Sequence, residues 1–363
     1  MPRVVFDTTD PHPFAADVKQ RVADYFKKHN LSPHANAAMV IKTVIILTIV
    51  LGSYALILTG WFPPIVMLGL AVLMGIGVAG IGFCVAHDSL HGAYSARPGV
   101  NRVLGWSLDC VGASSYLWKL THNVIHHTYT NVHGLDEDLE VSALLRLSPH
   151  SKRRAIHRYQ HLYGFLSYAL ATLNWVFLKD YRHLLRRDLG PFEGRSHRVR
   201  DVLALLGGKA FYYGWVIVLP LVVLSLPWWQ FLIGFVAMHL TAGLILGVVF
   251  QLAHVVEDTR HPVADEKGRM DRSWVIHQME TTSNFANGSR WITWYVAGLN
   301  HQVEHHLFPK ICSVHYPAIS KIVRDVAQRH GVPYHGQPTL VAAIRSHYEM
   351  LRLLGRAPAS ATA

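Results

Sequence analysis

The sequence predicts an all-α integral membrane protein with four transmembrane helices in two hairpins, and three observations carry that expectation. Hydrophobic residues make up 51% of the 363 positions, four apolar runs are long enough to cross a bilayer, and positive charge gathers outside those runs. The runs fall at about 38–58, 65–85, 210–226 and 231–252. About 20 apolar residues in a helix cover the roughly 30 Å hydrocarbon core of a membrane.

The first two runs are joined by Gly60, Trp61, Phe62, Pro63 and Pro64, and the last two by Pro227, Trp228, Trp229 and Gln230. Both corners are uncharged and aromatic, as membrane interfaces on the non-cytoplasmic side tend to be. Lys27 and Lys28 precede the first run, and Lys152, Arg153, Arg154, Arg182, Arg186, Arg187, Arg198 and Arg200 lie between the pairs. The positive-inside rule therefore places both termini and the middle region in the cytoplasm; separately, a bacterial inner membrane is expected rather than the endoplasmic reticulum. Gly69, Gly75, Gly77, Gly80 and Gly82 on the second run would let a neighbouring helix come close.

Only 16% of residues are charged, and Lys plus Arg exceed Asp plus Glu by 34 to 23, a net charge of +11. That excess suits a surface facing anionic membrane lipids; the long apolar runs leave no basic groove, so no nucleic-acid partner is expected. The first apolar run begins too far from Met1 for a cleaved signal peptide and serves as the membrane signal itself. Residues 162–178 are apolar enough to cross, but a fifth crossing would put the histidines on either side of it on opposite faces of the membrane. That stretch, and 103–120 with its Asp109, are therefore expected to lie at the interface.

Cys84, Cys110 and Cys312 have neither the even number of a disulfide framework nor a metal-ligand spacing. Histidine stands out, since 25 of them outnumber the 23 carboxylates. His87 and His91 are spaced i, i+4 just past the second run, a separation that places two side chains about 5–6 Å apart on one helix face. His122 and His126 repeat the spacing, and His127 beside them points about 100° around the helix, toward a second metal or the opposite side. His305 and His306 are adjacent again, and His254 follows the fourth run. Every cluster falls at a cytoplasmic helix end or in a cytoplasmic segment, so a cytoplasmic helical cap holding a metal site is expected. Imidazole suits iron, zinc, copper or nickel alike, but eight histidines exceed what one zinc site uses.

With these residues in view, the sequence resembles the membrane fatty acid desaturase family, whose three histidine boxes are matched by His87 to His91, His122 to His127 and Gln302 to His306. The resemblance extends through Asp136, Glu137, Asp138, Leu139 and Glu140, and through Asn300 to Pro309. It implies two non-haem irons held by His87, His91, His122, His126, His127, His254, His305 and His306. Gln302 belongs to the same metal-site set, in place of the more usual first histidine of that box, as in the subgroup containing front-end desaturases. The implied domains are a cytoplasmic segment at 1–37, a membrane desaturase domain at 38–356 and a disordered tail at 357–363. The implied reaction places a cis double bond in a fatty acyl chain, as acyl-CoA or membrane lipid, with O2 as co-substrate. A His-Pro-Gly-Gly haem-domain signature is absent, so electrons are expected from a separate ferredoxin or small cytochrome with an NAD(P)H reductase.

Other histidines are expected to do less. His301 is not expected to touch metal, and His133, His150, His157, His161, His183, His197 and His315 read as interfacial or surface residues. His239, inside the fourth run, calls for a structural hydrogen bond. The carboxylates Asp136 to Glu140, Asp88, Glu257, Asp258 and Glu304 could steady ligating rings, and Asn123 and Gln251 could hold a metal-bound water. The rivals are a lipid hydroxylase on the same scaffold and, from another class, a membrane haem electron carrier. The carrier needs histidines at matching depths on facing spans, and only His239 lies mid-membrane.

Overall fold

A computed structural model describes residues 4–7, 12–139 and 142–358. Glu140 and most of the tail at 357–363 lie outside the described residues. The chain is predominantly helical, and four helices are long and apolar enough to cross a membrane: Ala37–Leu58, Pro64–Leu90, Val199–Val223 and Trp228–His254.

The first span is capped by Asn36, whose side chain accepts the Met39 amide at 3.0 Å. The second begins at Pro64, where the missing N–H costs nothing because the first turn has no acceptor for it. Gly75, Gly77, Gly80 and Gly82 do what the sequence suggested, on two sides, whereas a Cβ at Gly69 would meet nothing within 4 Å. A Cβ at Gly75 would meet the Met238 carbonyl of the fourth span at 2.5 Å, and one at Gly77 would meet Val50 of the first at 2.6 Å. The second span is thereby packed between the first and the fourth, and the main core forms around Ile46, Val50, Met74, Val78, Met238 and Ala242.

The third span begins at Val199, well before the 210 expected from hydropathy, and ends at Val223 instead of 226. The charged residues Asp201 and Lys209 hid its first half. Lys209 is buried, its ammonium 2.7 Å from Asp180 and bonded to the Gly112 and Trp175 carbonyls at 2.8 and 2.9 Å. The segment 103–120, expected as one interfacial helix, is broken into Pro98–Gly105, Ser107–Cys110 and Ser115–Trp118. Gly112, at φ +94°, makes the second of the two breaks, a conformation open to glycine and strained for other residues.

The stretch at 162–178 falls in Gln160–Ala169, Ala171–Asn174 and a π-helical turn at Trp175–Lys179, leading into Asp180–Leu185. It is not among the four membrane-length helices and packs along the fourth span. The all-α expectation misses one feature: Ser283–Phe285 pairs in parallel with His335–Gln337, Asn284 opposite Gly336. Asn284 repays the irregularity, because its side chain accepts the Val303 amide at 2.9 Å and donates to Glu304 at 3.0 Å, pinning the helix Gln302–Leu307.

Candidate metal centre

The second span changes from α to π hydrogen bonding over Ile81–His87 and back over Asp88–Leu90, so both histidines of its end turn inward. The rings of His87 and His91 stand 4.7 Å apart between centroids, and both face His122 and His305. One nitrogen from each of these four lies within 4.8 Å of the others.

The second box sits on another π-helical segment, Lys119–His126, where the His127 amide reaches back five residues to the His122 carbonyl at 3.1 Å. This wider turn divides the box differently from the α-helical spacing. His122 joins His87, His91 and His305, His126 groups with His254 and His306, and His127 with His305 and His306, while His122 and His126 also stand together with Asp138. Three separate segments and the end of the fourth span therefore converge on two neighbouring groups of imidazoles.

The second group is held in one tautomer. His126 Nδ1 lies 3.0 Å from an Asp136 carboxylate oxygen, His254 Nδ1 3.3 Å from the Thr281 carbonyl, and His306 Nδ1 2.8 Å from Gln278 Oε1. Each partner only accepts, so each Nδ1 carries the proton and each Nε2 keeps its lone pair. All three Nε2 atoms are buried without a hydrogen-bond partner, as are those of His91, His122, His127 and His305. An orphaned buried acceptor is costly unless something fills it, and ligating histidines in metalloproteins show this arrangement of one held and one free nitrogen. His87 leans on Asp88 at 3.3 Å, and His305 on the Tyr316 hydroxyl at 3.2 Å.

Burial, together with neighbouring histidines, pushes His91, His122, His127, His305 and His306 well below the ordinary imidazole value. All five therefore stay neutral, the state in which imidazole binds metal. At His126 burial acts in the same direction, but the Asp136 carboxylate outweighs it and leaves the value raised. Burial lifts Glu304 to about 7 against hydrogen bonds from Tyr334 and Asn284.

The remaining expectations divide. Asp136 and Asp88 hold rings, but Glu304 turns away toward Tyr334 and Asn284, and Asp258 faces Gln337 at the surface. Glu257 offers its amide to Ser346. Asn123 donates to the Leu90 carbonyl at 2.9 Å, tying the first box to the second. Gln302 donates to the Leu299 carbonyl at 2.7 Å and lines the cavity beside His305. Gln251 lines the same cavity with an unpartnered carbonyl oxygen. His301 stands 3.9 Å from Glu304, outside the imidazole groups. His239 makes its structural bonds to Tyr212 at 2.6 Å and Thr172 at 3.0 Å.

Four histidines expected near the surface, His157, His161, His183 and His315, are buried instead. His157 and His315 face the carbonyls of Ala143 and His34, a task that no spacing announces. Sequence reasoning also missed Gln278, Thr281 and Tyr316, the hydrogen-bond partners of His306, His254 and His305. Their only signal is proximity in the fold. The three cysteines are free thiols, and none joins an imidazole group.

Against His87, His122 and His305 opens a cavity of about 730 Å³, walled by Phe83, Leu117, Leu246, Val249 and Phe250. Its size is in the range of sites that enclose most of a small lipid or drug-sized ligand.

The fatty acid desaturase family model matches residues 60–338. The chain belongs to the fatty acid desaturase family. A protein of Synechocystis sp. named sn-1 linoleoyl-lipid 6-desaturase is 38% identical over 96% of this chain and 97% of its own. A protein of the same name from Arthrospira platensis is 37% identical over 95% of this chain and 93% of its own. An acyl-lipid (8-3)-desaturase of Physcomitrium patens is 36% identical over 93% of this chain and 71% of its own. This desaturase is thus a membrane oxidoreductase acting on fatty acyl chains. Desaturases of this family depend on iron, and neutral imidazoles with bare Nε2 atoms are a donor set that iron accepts.

Proposed function

We propose that this desaturase binds two irons and uses O2 to place a cis double bond between the carboxyl end and an existing double bond of a lipid-linked acyl chain. The carrying observation is the pinned trio His126, His254 and His306 beside the quartet His87, His91, His122 and His305, of which His87, His122 and His305 line the apolar cavity. One iron would be held by each group, with His127 between them and Gln302 at the cavity side. The irons supply the reductive activation of dioxygen needed to take hydrogen from two adjacent carbons. Removing two hydrogens yields two electrons and reducing O2 to water takes four. Two more therefore come from a donor such as a ferredoxin or small cytochrome with an NAD(P)H reductase.

The residues provide the rest. Phe83, Leu246 and Phe250 exclude water and hold the chain straight past His87, His122 and His305, since a chain displaced by about 1 Å loses reaction rate steeply. Asp136, the Thr281 carbonyl and Gln278 keep the protons on Nδ1. The relatives named for 6- and 8-3 positions support attack near the carboxyl end. The uncharged corners and basic flanks support two hairpins with both termini and the imidazoles on the cytoplasmic side. Cysteines placed at Gln230 and Arg186 should then label from opposite sides, and labelling from one side would sink that topology.

The test of the chemistry is reconstitution. The purified chain should carry about two irons and, with reductase, carrier, NAD(P)H and a linoleoyl lipid, consume O2 and add one cis double bond on the carboxyl side. Stoichiometry near one, full activity with zinc, or hydroxylated lipid as the sole product would overturn the reading.

A further inference from the structure

The cavity is apolar along most of its wall but is also lined by Lys179, Asp180, Arg182 and His183 of one segment and by Asp138 and Ser142 of another, Asp138 facing Lys179 at 3.7 Å. These groups differ in how far they are already satisfied. Asp180 receives the Lys209 ammonium at 2.7 Å and the Ser114 amide at 2.9 Å. Asp138 faces Lys179 and His126, each at 3.7 Å.

Arg182 has no ion pair among the described residues and reaches solvent at the cavity's edge. Its neighbour His183 is 6% exposed, with Nε2 3.7 Å from Glu137 and Nδ1 buried without a hydrogen-bond partner. Burial, then the charges of Lys179 and Arg186, push its value down to about 3, so the ring is neutral and hydrogen-bonds without adding charge. An unpaired guanidinium beside an orphaned buried ring nitrogen, at the mouth of a lipid-sized cavity, fits an oxygen-rich anion better than an alkyl chain.

We propose that Arg182 and His183 form a subsite for a phosphate ester attached at the carboxyl end of the acyl substrate. The proposal rests on the desaturase reading above and adds the substrate's charge and direction. Both a phospholipid headgroup and an acyl-CoA carry this chemistry.

Direction follows from the position of Asp138. It lies in the same polar wall, and its carboxylate is within 4.8 Å of the ligand nitrogens of His122 and His126. Asp138 in turn faces Lys179, three residues before Arg182, so an ester end anchored there leaves few carbons before the imidazoles, and the methyl end is left to the rest of the apolar lining. Arg182 and His183 thereby act as a stop that sets the reacting carbons close to the carboxyl group.

The experiment uses the iron-loaded enzyme with its reductant system in vesicles of uncharged galactolipid. Three substrates are compared: linoleoyl phosphatidylglycerol, linoleoyl-CoA and a linoleoyl galactolipid. The wild-type enzyme should favour a phosphate-bearing substrate, and the phospholipid and CoA arms show which source it takes. R182Q should raise KM for that substrate tenfold or more with kcat and iron content kept, R182K should recover most of the loss, and the galactolipid KM should not move. Retained iron shows that the variant folds. A wild-type preference for galactolipid, or a KM unchanged in R182Q, would overturn the subsite with the desaturase reading intact. A wild-type enzyme inert toward all three substrates would bring down both.

Discussion

His126 Nδ1 and Asp136 Oδ2 are 3.0 Å apart, joined across the ten residues that carry the chain out of the second histidine box. The same oxygen accepts the Asn131 amide at 2.9 Å, and Asp136 Oδ1 accepts the Asp138 amide at 3.1 Å. The carboxylate is therefore fixed by its own turn before it meets the ring. Asn131 closes that turn at φ +58° and ties it to the fourth span through the His254 carbonyl at 2.8 Å. One loop thus holds the ring of one imidazole and the backbone of another in the same group.

Replacing Asp136 by Asn should separate ring-holding from folding. The amide keeps the shape but loses the charge and can turn its NH2 toward His126, which favours the wrong tautomer. Loss of such a partner typically weakens metal affinity by about 10–100-fold. Iron competition against a graded chelator should show a loss of that order, with the helical circular dichroism unchanged. Wild-type affinity would mean that the contact does not set the tautomer.

The buried imidazoles make the iron-free protein sensitive to acid. His91, His122, His127, His305 and His306 have folded values well below the ordinary 6.5 because burial and mutual repulsion disfavour their charge. Unfolded, they take up protons near the ordinary value, so their contribution to stability is present above about pH 6.5 and is lost as the pH falls toward the folded values. The thermal midpoint of the chelated enzyme should drop on acidification from pH 7.5 to 5.5, and iron should reduce that drop. A flat profile would contradict neutral, buried rings.

Much of this was legible in the sequence because membranes and metals impose simple patterns. Apolar length gave four spans, residue type and spacing picked out His87, His91, His122, His126, His127, His305 and His306, and its place after the fourth run picked out His254. Two π-helical stretches, Ile81–His87 and Lys119–His126, were not legible, since one extra residue in a turn leaves the amino-acid pattern unchanged while altering which imidazoles each histidine faces. The partners Gln278, Thr281 and Tyr316 were invisible for another reason: they meet their rings through tertiary contact alone. Lys209 misled in the opposite sense, as a charge inside a helix read as the end of an apolar run.

That misreading leads to a test of what holds the third span in place. Lys209 is 3% exposed and bonds to Asp180 at 2.7 Å and to the Gly112 and Trp175 carbonyls, so one ammonium joins the third span to two segments that wall the cavity. Removing one member of a buried pair leaves the other charged and unpaired, at a cost of about 3–5 kcal/mol, whereas removing both is far less damaging. Lys209→Met should therefore lower the thermal midpoint of the detergent-solubilised enzyme strongly. Lys209→Met combined with Asp180→Leu should recover part of the loss, though not all of it, because the two carbonyls and the Ser114 amide still lose a partner. A double variant no more stable than the single one would show that the carbonyl bonds, and not the ion pair, fasten the span.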